Sequence, residues 1–116
     1  MLLLWSFNLE KGREMEYKNF IAENLEKYRK HTVPGWTLKG VYGSTFNIGR
    51  HDVTWIWEFS KFGDMDVVRD HIDPVLDDLS MEEADFFVPG SSEVTILREV
   101  GEWSVLPPKK TEGQKK

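Results

Sequence analysis

The chain has 116 residues, a mass of 13.6 kDa and no cysteine, so disulfides, thiolate metal sites and cysteine nucleophiles are excluded. A hydrophobic fraction of 40% beside a charged fraction of 30% describes one globular domain large enough to bury its own core. Net charge is −5, and because the last ten residues carry four Lys against one Glu, the remainder stands near −8, which disfavours binding to phosphate backbones.

Without cysteine a cytoplasmic protein is expected, and Met1-Leu2-Leu3-Leu4-Trp5, which lacks a basic flank and stops at Ser6, is too short for a signal peptide or membrane span. Residues 2–9 alternate instead. Leu3, Trp5, Phe7 and Leu9 take one face of a strand, and Leu2, Leu4, Ser6 and Asn8 the other. From Glu14 to His31 the period lengthens: Tyr17, Phe20, Ile21, Asn24, Leu25 and Tyr28 form one helical stripe, with acids at its start and bases at its end. Pro34-Gly35 ends the helix. Trp36–Phe46 reads as a second strand, Asn47-Ile48-Gly49-Arg50 as a tight turn, and His51–Phe59 as a third strand with Val53, Trp55, Trp57 and Phe59 on one face.

The next segment is a broken helix. Asp64 is its expected N-cap, Asp73-Pro74 an N-cap and first-turn pair for a second piece, and Ser80-Met81-Glu82-Glu83 a capping box opening a third. Asp70, Asp73, Asp77, Asp78, Glu82, Glu83 and Asp85 read as a solvated acidic face, since no spacing converges three metal ligands. Glu93–Val100 is the fourth strand. Residues 1–106 are thus expected to form one domain, and 107–116 a disordered basic tail.

The order β-α-β-β-α-β specifies a ferredoxin-like α+β domain: a four-stranded antiparallel sheet with helices on one face. The odd residues of the third strand are assigned to the helices. Leu2, Leu4, Val41, Ile56 and Leu97 then lie on the bare face, and a homodimer through that face is expected.

In this order of elements across residues 2–100, and in Pro34-Gly35-Trp36 and Ile56-Trp57-Glu58-Phe59, the chain resembles the dimeric α/β-barrel superfamily, which includes antibiotic-biosynthesis-type monooxygenases, EthD-like and NIPSNAP-like proteins. The resemblance implies a barrel of two facing sheets and a small-molecule cleft between sheet and helices. It also implies activities ranging from cofactor-independent or heme-type oxygenation to none established. Heme-degrading relatives use an Asn, a Trp and a His at positions coarsely similar to Asn8, Trp57 and His71, but the separation from Trp57 to His71 is longer here and Asn8 has the opposite parity to Trp5 and Phe7. No motif requires a cofactor, and no nucleophile elbow, phosphate loop or dinucleotide fingerprint is present.

Two functions follow from these residues. One is binding or oxidation of a small organic molecule in a cleft lined by Tyr42, Trp55, Trp57 and Arg98, with His71 as candidate general base or ligand. The other is a non-catalytic dimeric module in which the same groups simply pack. RNA-recognition domains share the topology, but the acidic charge and the apolar parity of the aromatics argue against stacking on bases.

Overall fold

The computed structural model describes residues 1–46 and 48–102. Strand β1 (Leu2–Phe7) leads to α1 (Glu14–Lys30), then β2 (Trp36–Gly43), β3 (Val53–Phe59), α2 (Gly63–Asp70), α3 (Pro74–Ala84) and β4 (Glu93–Leu97). The sheet order is β2-β3-β1-β4, with every neighbouring pair antiparallel. This is the ferredoxin-like arrangement that the element order specifies. The expected disordered tail lies outside the described residues.

Strand phase follows the side-chain pattern. Val53, Trp55 and Phe59 are buried with Phe7, Leu9, Leu38, Tyr17 and Tyr28, so the odd positions of β3 face the helices. Removing these large apolar surfaces from water is the main stabilising term, at roughly 25 cal/mol for each Å² buried. Helix α1 carries Glu14 and Glu16 in its first turn and Lys27, Arg29 and Lys30 in its last, charges that complement its dipole.

In β2 the phase changes partway. Leu38 pairs opposite Trp57 but Gly40 pairs opposite Ile56, so the register shifts by one residue at Lys39. A bulge reverses the facing of everything beyond it. Val41 comes opposite Trp55 and packs on the core, not on the bare face assigned to it. Tyr42 comes opposite Thr54 on the outer face, 53% exposed, with its ring lying over Gly40. Both reversals have this one cause.

Element ends also depart from expectation. β2 stops at Gly43 and β3 begins at Val53, with Ser44 N–H donating to Asp52 O at 3.0 Å, so the connection is longer than a tight turn. Asn47 lies outside the described residues. Asp64 is not the N-cap of α2. Its carboxylate instead accepts the Ser60 and Lys61 N–H groups at 3.1 and 3.2 Å, fastening the turn before the helix. Asp73 does cap α3, accepting the Val75 and Leu76 N–H groups, and Pro74 begins the helix. The helix then runs unbroken through Ser80, because a box at 80–83 needs non-helical backbone at Ser80 and nothing in the sequence supplies a break. β4 ends at Leu97, leaving Arg98 beyond the ladder and a 3₁₀ turn at Val100–Glu102.

Gly35 bends the chain from α1 into β2 with φ +90, and a Cβ there would lie 3.3 Å from Asp64 Oδ1. Gly35→Ala should therefore lower unfolding free energy by about 1–2 kcal/mol, measured by urea denaturation, since the left-handed backbone and the close carboxylate both oppose a side chain.

Candidate functional site

Among the five residues singled out, two meet on the helix-covered face. Trp55 is 1% exposed and forms part of the core floor. Trp57 lies nearly parallel to it, ring centroids 5.8 Å apart at 14°, and is only half-buried. Trp57 forms, with Leu3, Val33, Trp36 and Val68, an apolar notch of about 170 Å³. Sheet and helix position these groups together: Leu3 faces Trp57 across the β1–β3 pair, and Val68 descends from α2.

His71 ends α2, with its N–H bonded to Val68 O at 3.3 Å. Its Nε2 is enclosed and has no hydrogen-bond partner among the described residues; Asp73 Oδ2 is 4.0 Å away. The same oxygen accepts from His31 Nδ1 at 2.8 Å. His31 and His71 thus flank one carboxylate, and they stand two and three residues from the notch residues Val33 and Val68. The His31 hydrogen bond, joined by the Leu76 and Val75 N–H groups, holds the Asp73 carboxyl below its usual range although partial burial opposes this. The sequence singled out His71 but missed Asp73, two residues on, and His31, which only the packing of α1 against the α2–α3 junction brings near it.

The other two candidates are elsewhere. Tyr42 is on the outer face, through the bulge. Arg98 borders a surface depression with Met1, Leu2, Glu58 and Glu102 at the β1–β4 side. Asn8 is not brought to Trp57 either. Leu3 is the residue opposite Trp57, and five extended residues separate it from Asn8, about 17 Å. The Asn8 side chain accepts the Asp52 N–H instead, at 3.0 Å. The residues present do not fit the heme arrangement that the resemblance implies.

A second polar cluster sits in the core, unread in the sequence. Glu83, 2% exposed, accepts the Tyr17 hydroxyl at 2.6 Å and the Tyr28 hydroxyl at 3.0 Å, and Trp55 Nε1 donates to the Tyr17 oxygen at 3.0 Å. Burial pushes the Glu83 carboxyl up to about 7, with the tyrosine and Trp55 hydrogen bonds working against it. Burial and the neighbouring Glu83 charge push both tyrosine hydroxyls far above their usual range. Two tyrosines on a helical stripe otherwise apolar except at Asn24 were the available signal, since buried hydroxyls require partners. Tyr17 also walls a wider cleft of about 390 Å³ between α1 and the β2–β3 edge, where Leu9, Ile21, Val41 and Val53 line an apolar floor.

Among the described residues no group of three or more His, Asp or Glu could hold a metal ion. No helix among them is long and apolar enough to cross a membrane.

No protein-family model matches the chain, and no curated protein matches it in sequence. Solved structures do match in shape. An uncharacterized NIPSNAP domain protein from Burkholderia xenovorans superposes with a TM-score of 0.68 at 13% identity, over 93% of this chain and 100% of its own. A NIPSNAP family protein from Agrobacterium tumefaciens gives 0.68 at 16% identity, over 90% and 97%. A conserved protein from Methanosarcina mazei gives 0.59 at 16% identity, over 84% and 90%. At such identities the likeness is one of fold: this chain has the ferredoxin-like α+β architecture of the NIPSNAP structures along nine-tenths of its length.

Proposed function

We propose that the chain binds a small, largely apolar organic molecule of about one aromatic ring in the notch over Trp57, with His71 as hydrogen-bond partner or proton acceptor for its polar end. The carrying observation is the notch itself. It is lined by two indoles and three aliphatic side chains, and His71 follows the notch residue Val68 by three positions at the end of α2. A dry apolar cavity of about 150 Å³ accommodates benzene, so 170 Å³ suits a single ring. Two wide indole faces offer more contact area than aliphatic walls of the same volume.

Toluene is a suitable probe. The expected result is a saturable shift of the Trp57 indole N–H signal in ¹⁵N–¹H spectra, lost in Val68→Phe, where the added ring fills the space. Unmoved Trp57 and Trp36 signals at saturating toluene would overturn the reading.

A second reading concerns the outer face, and its occupant is a second copy of this chain. The strand register sets Leu2 beside Leu97 and Leu4 beside Ile56, with no helix over them among the described residues. Two polar pairs there are matched within the chain: Ser6 Oγ and Thr54 Oγ1 are 2.8 Å apart, and Lys39 Nζ lies 3.6 Å from Glu58 Oε1. A two-fold copy would therefore meet an apolar strip without uncompensated charge. Sedimentation equilibrium at micromolar concentration should give twice 13.6 kDa, and Ile56→Asp should return it to 13.6 kDa. A wild-type mass of one chain would dismiss the dimer.

A further inference from the structure

We propose that the wide cleft between α1 and the β2–β3 edge binds a free α-amino acid with a large apolar side chain, its zwitterionic head held by Glu14, Lys18 and Asp52. The cleft shares no lining residue with the notch over Trp57, so the inference stands apart from the function proposed there.

Strand and helix phase set the floor. Tyr17 and Ile21 come from one face of α1, four residues apart, and Val53 opens β3. Val41 joins them only because the bulge at Lys39 turns it inward. The resulting space of about 390 Å³ is within the range of small-molecule sites and is wider than the 170 Å³ notch. A large apolar side chain seated there removes both its own surface and that of the floor from water.

The rim carries the charges. Glu14 and Lys18 both line the cleft and stand one helical turn apart on α1, a spacing that sets Cβ atoms about 5–6 Å apart. Asp52 lines it from the sheet side and is pinned at three atoms. Its Oδ2 accepts the Leu9 N–H, its N–H donates to Asn8 Oδ1, and its carbonyl accepts the Ser44 N–H, each at 3.0 Å. The carboxylate is therefore fixed in place before any ligand arrives, which lowers the cost of binding to it. Among the described residues none of the three charges is in an ion pair, whereas nearby on α1 Arg13 pairs with Glu16. Two carboxylates and one ammonium thus edge a single apolar cavity. An α-amino acid presents the complementary set on adjacent atoms, an ammonium for Glu14 and Asp52 and a carboxylate for Lys18. An amine alone would set its cation beside Lys18, and a carboxylic acid alone would set its anion beside two acids, so the rim disfavours each half of the head by itself.

L-Phenylalanine titrated into the full chain, followed in methyl ¹³C–¹H spectra, tests the assignment. The Ile21, Val41 and Val53 methyl signals should shift saturably, while those of Val33 and Val68 beside Trp57 hold their positions. Phenethylamine, which lacks the carboxylate, and hydrocinnamate, which lacks the ammonium, should each bind about fivefold more weakly, the upper size of one exposed charge pair. Lys18→Met keeps the apolar stem and should weaken phenylalanine about fivefold while leaving phenethylamine no weaker. Asp52→Asn, whose amide oxygen can still accept from Leu9, should weaken phenylalanine to a similar degree and leave hydrocinnamate no weaker. The absence of a saturable shift, a response at Val33 and Val68 instead, or an amine or acid that binds as tightly as phenylalanine would each overturn the site. Val68→Phe should leave phenylalanine binding intact, so failure at the notch and failure at this cleft are seen separately.

Discussion

Wild-type unfolding free energy should fall by about 3 kcal/mol as the pH rises from 4.5 to above 7, and Glu83→Gln should remove most of that fall. The carboxyl of Glu83 is raised from 4.5 to about 7 by burial. Below 4.5 it is protonated in folded and unfolded chains alike and costs nothing. Between the two values the folded chain holds a proton that the unfolded chain has released, so each further pH unit weakens the fold by about 1.4 kcal/mol. Above 7 the full penalty is present and constant. Glutamine has the same shape, has no charge to bury, and can direct its amide N–H toward the Tyr28 oxygen while the Tyr28 hydroxyl donates to Leu79 O. Glu83→Gln should thus exceed the wild type at pH 8 by about 2–3 kcal/mol and match it near pH 4, measured by urea denaturation. Parallel pH profiles for the two proteins would show that Glu83 is ionised at an ordinary pH. Asp73 acts in the opposite sense lower down. Its carboxyl is held below 3.8, so its contribution is complete above that value and is lost as the pH falls through the folded value.

Trp55→Ala should be the most damaging single truncation, lowering unfolding free energy by about 3–5 kcal/mol. The indole is 1% exposed and touches the rings of Trp5, Tyr28 and Trp57 at centroid distances of 6.0, 4.8 and 5.8 Å. Its loss opens a cavity between the sheet and α1. It also removes the Nε1 donor from the Tyr17 oxygen, leaving a buried polar group one partner short. Trp57→Ala, on the half-exposed side of the same stack, should cost less than half as much. For a domain of about 100 residues, whose total stability is typically 5–15 kcal/mol, the first variant is expected to be partly unfolded at 37 °C. Equal losses for the two truncations would mean that the burial order along β3 is wrong.

The inner face of the sheet was readable because β1 and β3 are regular. In a strand without bulges, parity carries from one residue to the next, and Trp55 or Phe7 can be assigned from a neighbour. β2 was not readable in this way. The shift at Lys39 has no mark in Leu38-Lys39-Gly40-Val41-Tyr42 beyond a glycine, so Val41 and Tyr42 were assigned to each other's faces. At Ser80 the opposite error arose: a local capping pattern was present but a continuous helix outcompeted it, because the stripe of Leu76, Leu79 and Glu83 must remain in phase to meet α1.

The candidate site divides in the same manner. Trp57 and His71 could be singled out from type and position. The partners that give His71 its character could not, since His31 is 40 residues away in the chain and Asp73 looks like any helix cap. Glu83 was the least legible of all, one acid in a run of acids, and yet it is the one turned inward.

The sequence by itself determined the β-α-β-β-α-β order, the helix-covered face of β1 and β3, and the exclusion of thiol chemistry, because these depend on periodicity and composition over short spans. Only the tertiary structure decided the bulge in β2, the unbroken course of α3, the burial of Glu83 between two tyrosines, and the meeting of His31, His71 and Asp73. The bulge, the Glu83 cluster and the approach of His31 are contacts between elements distant in the chain, fixed by which surfaces must be removed from water together, and the course of α3 follows from packing of the same kind against α1.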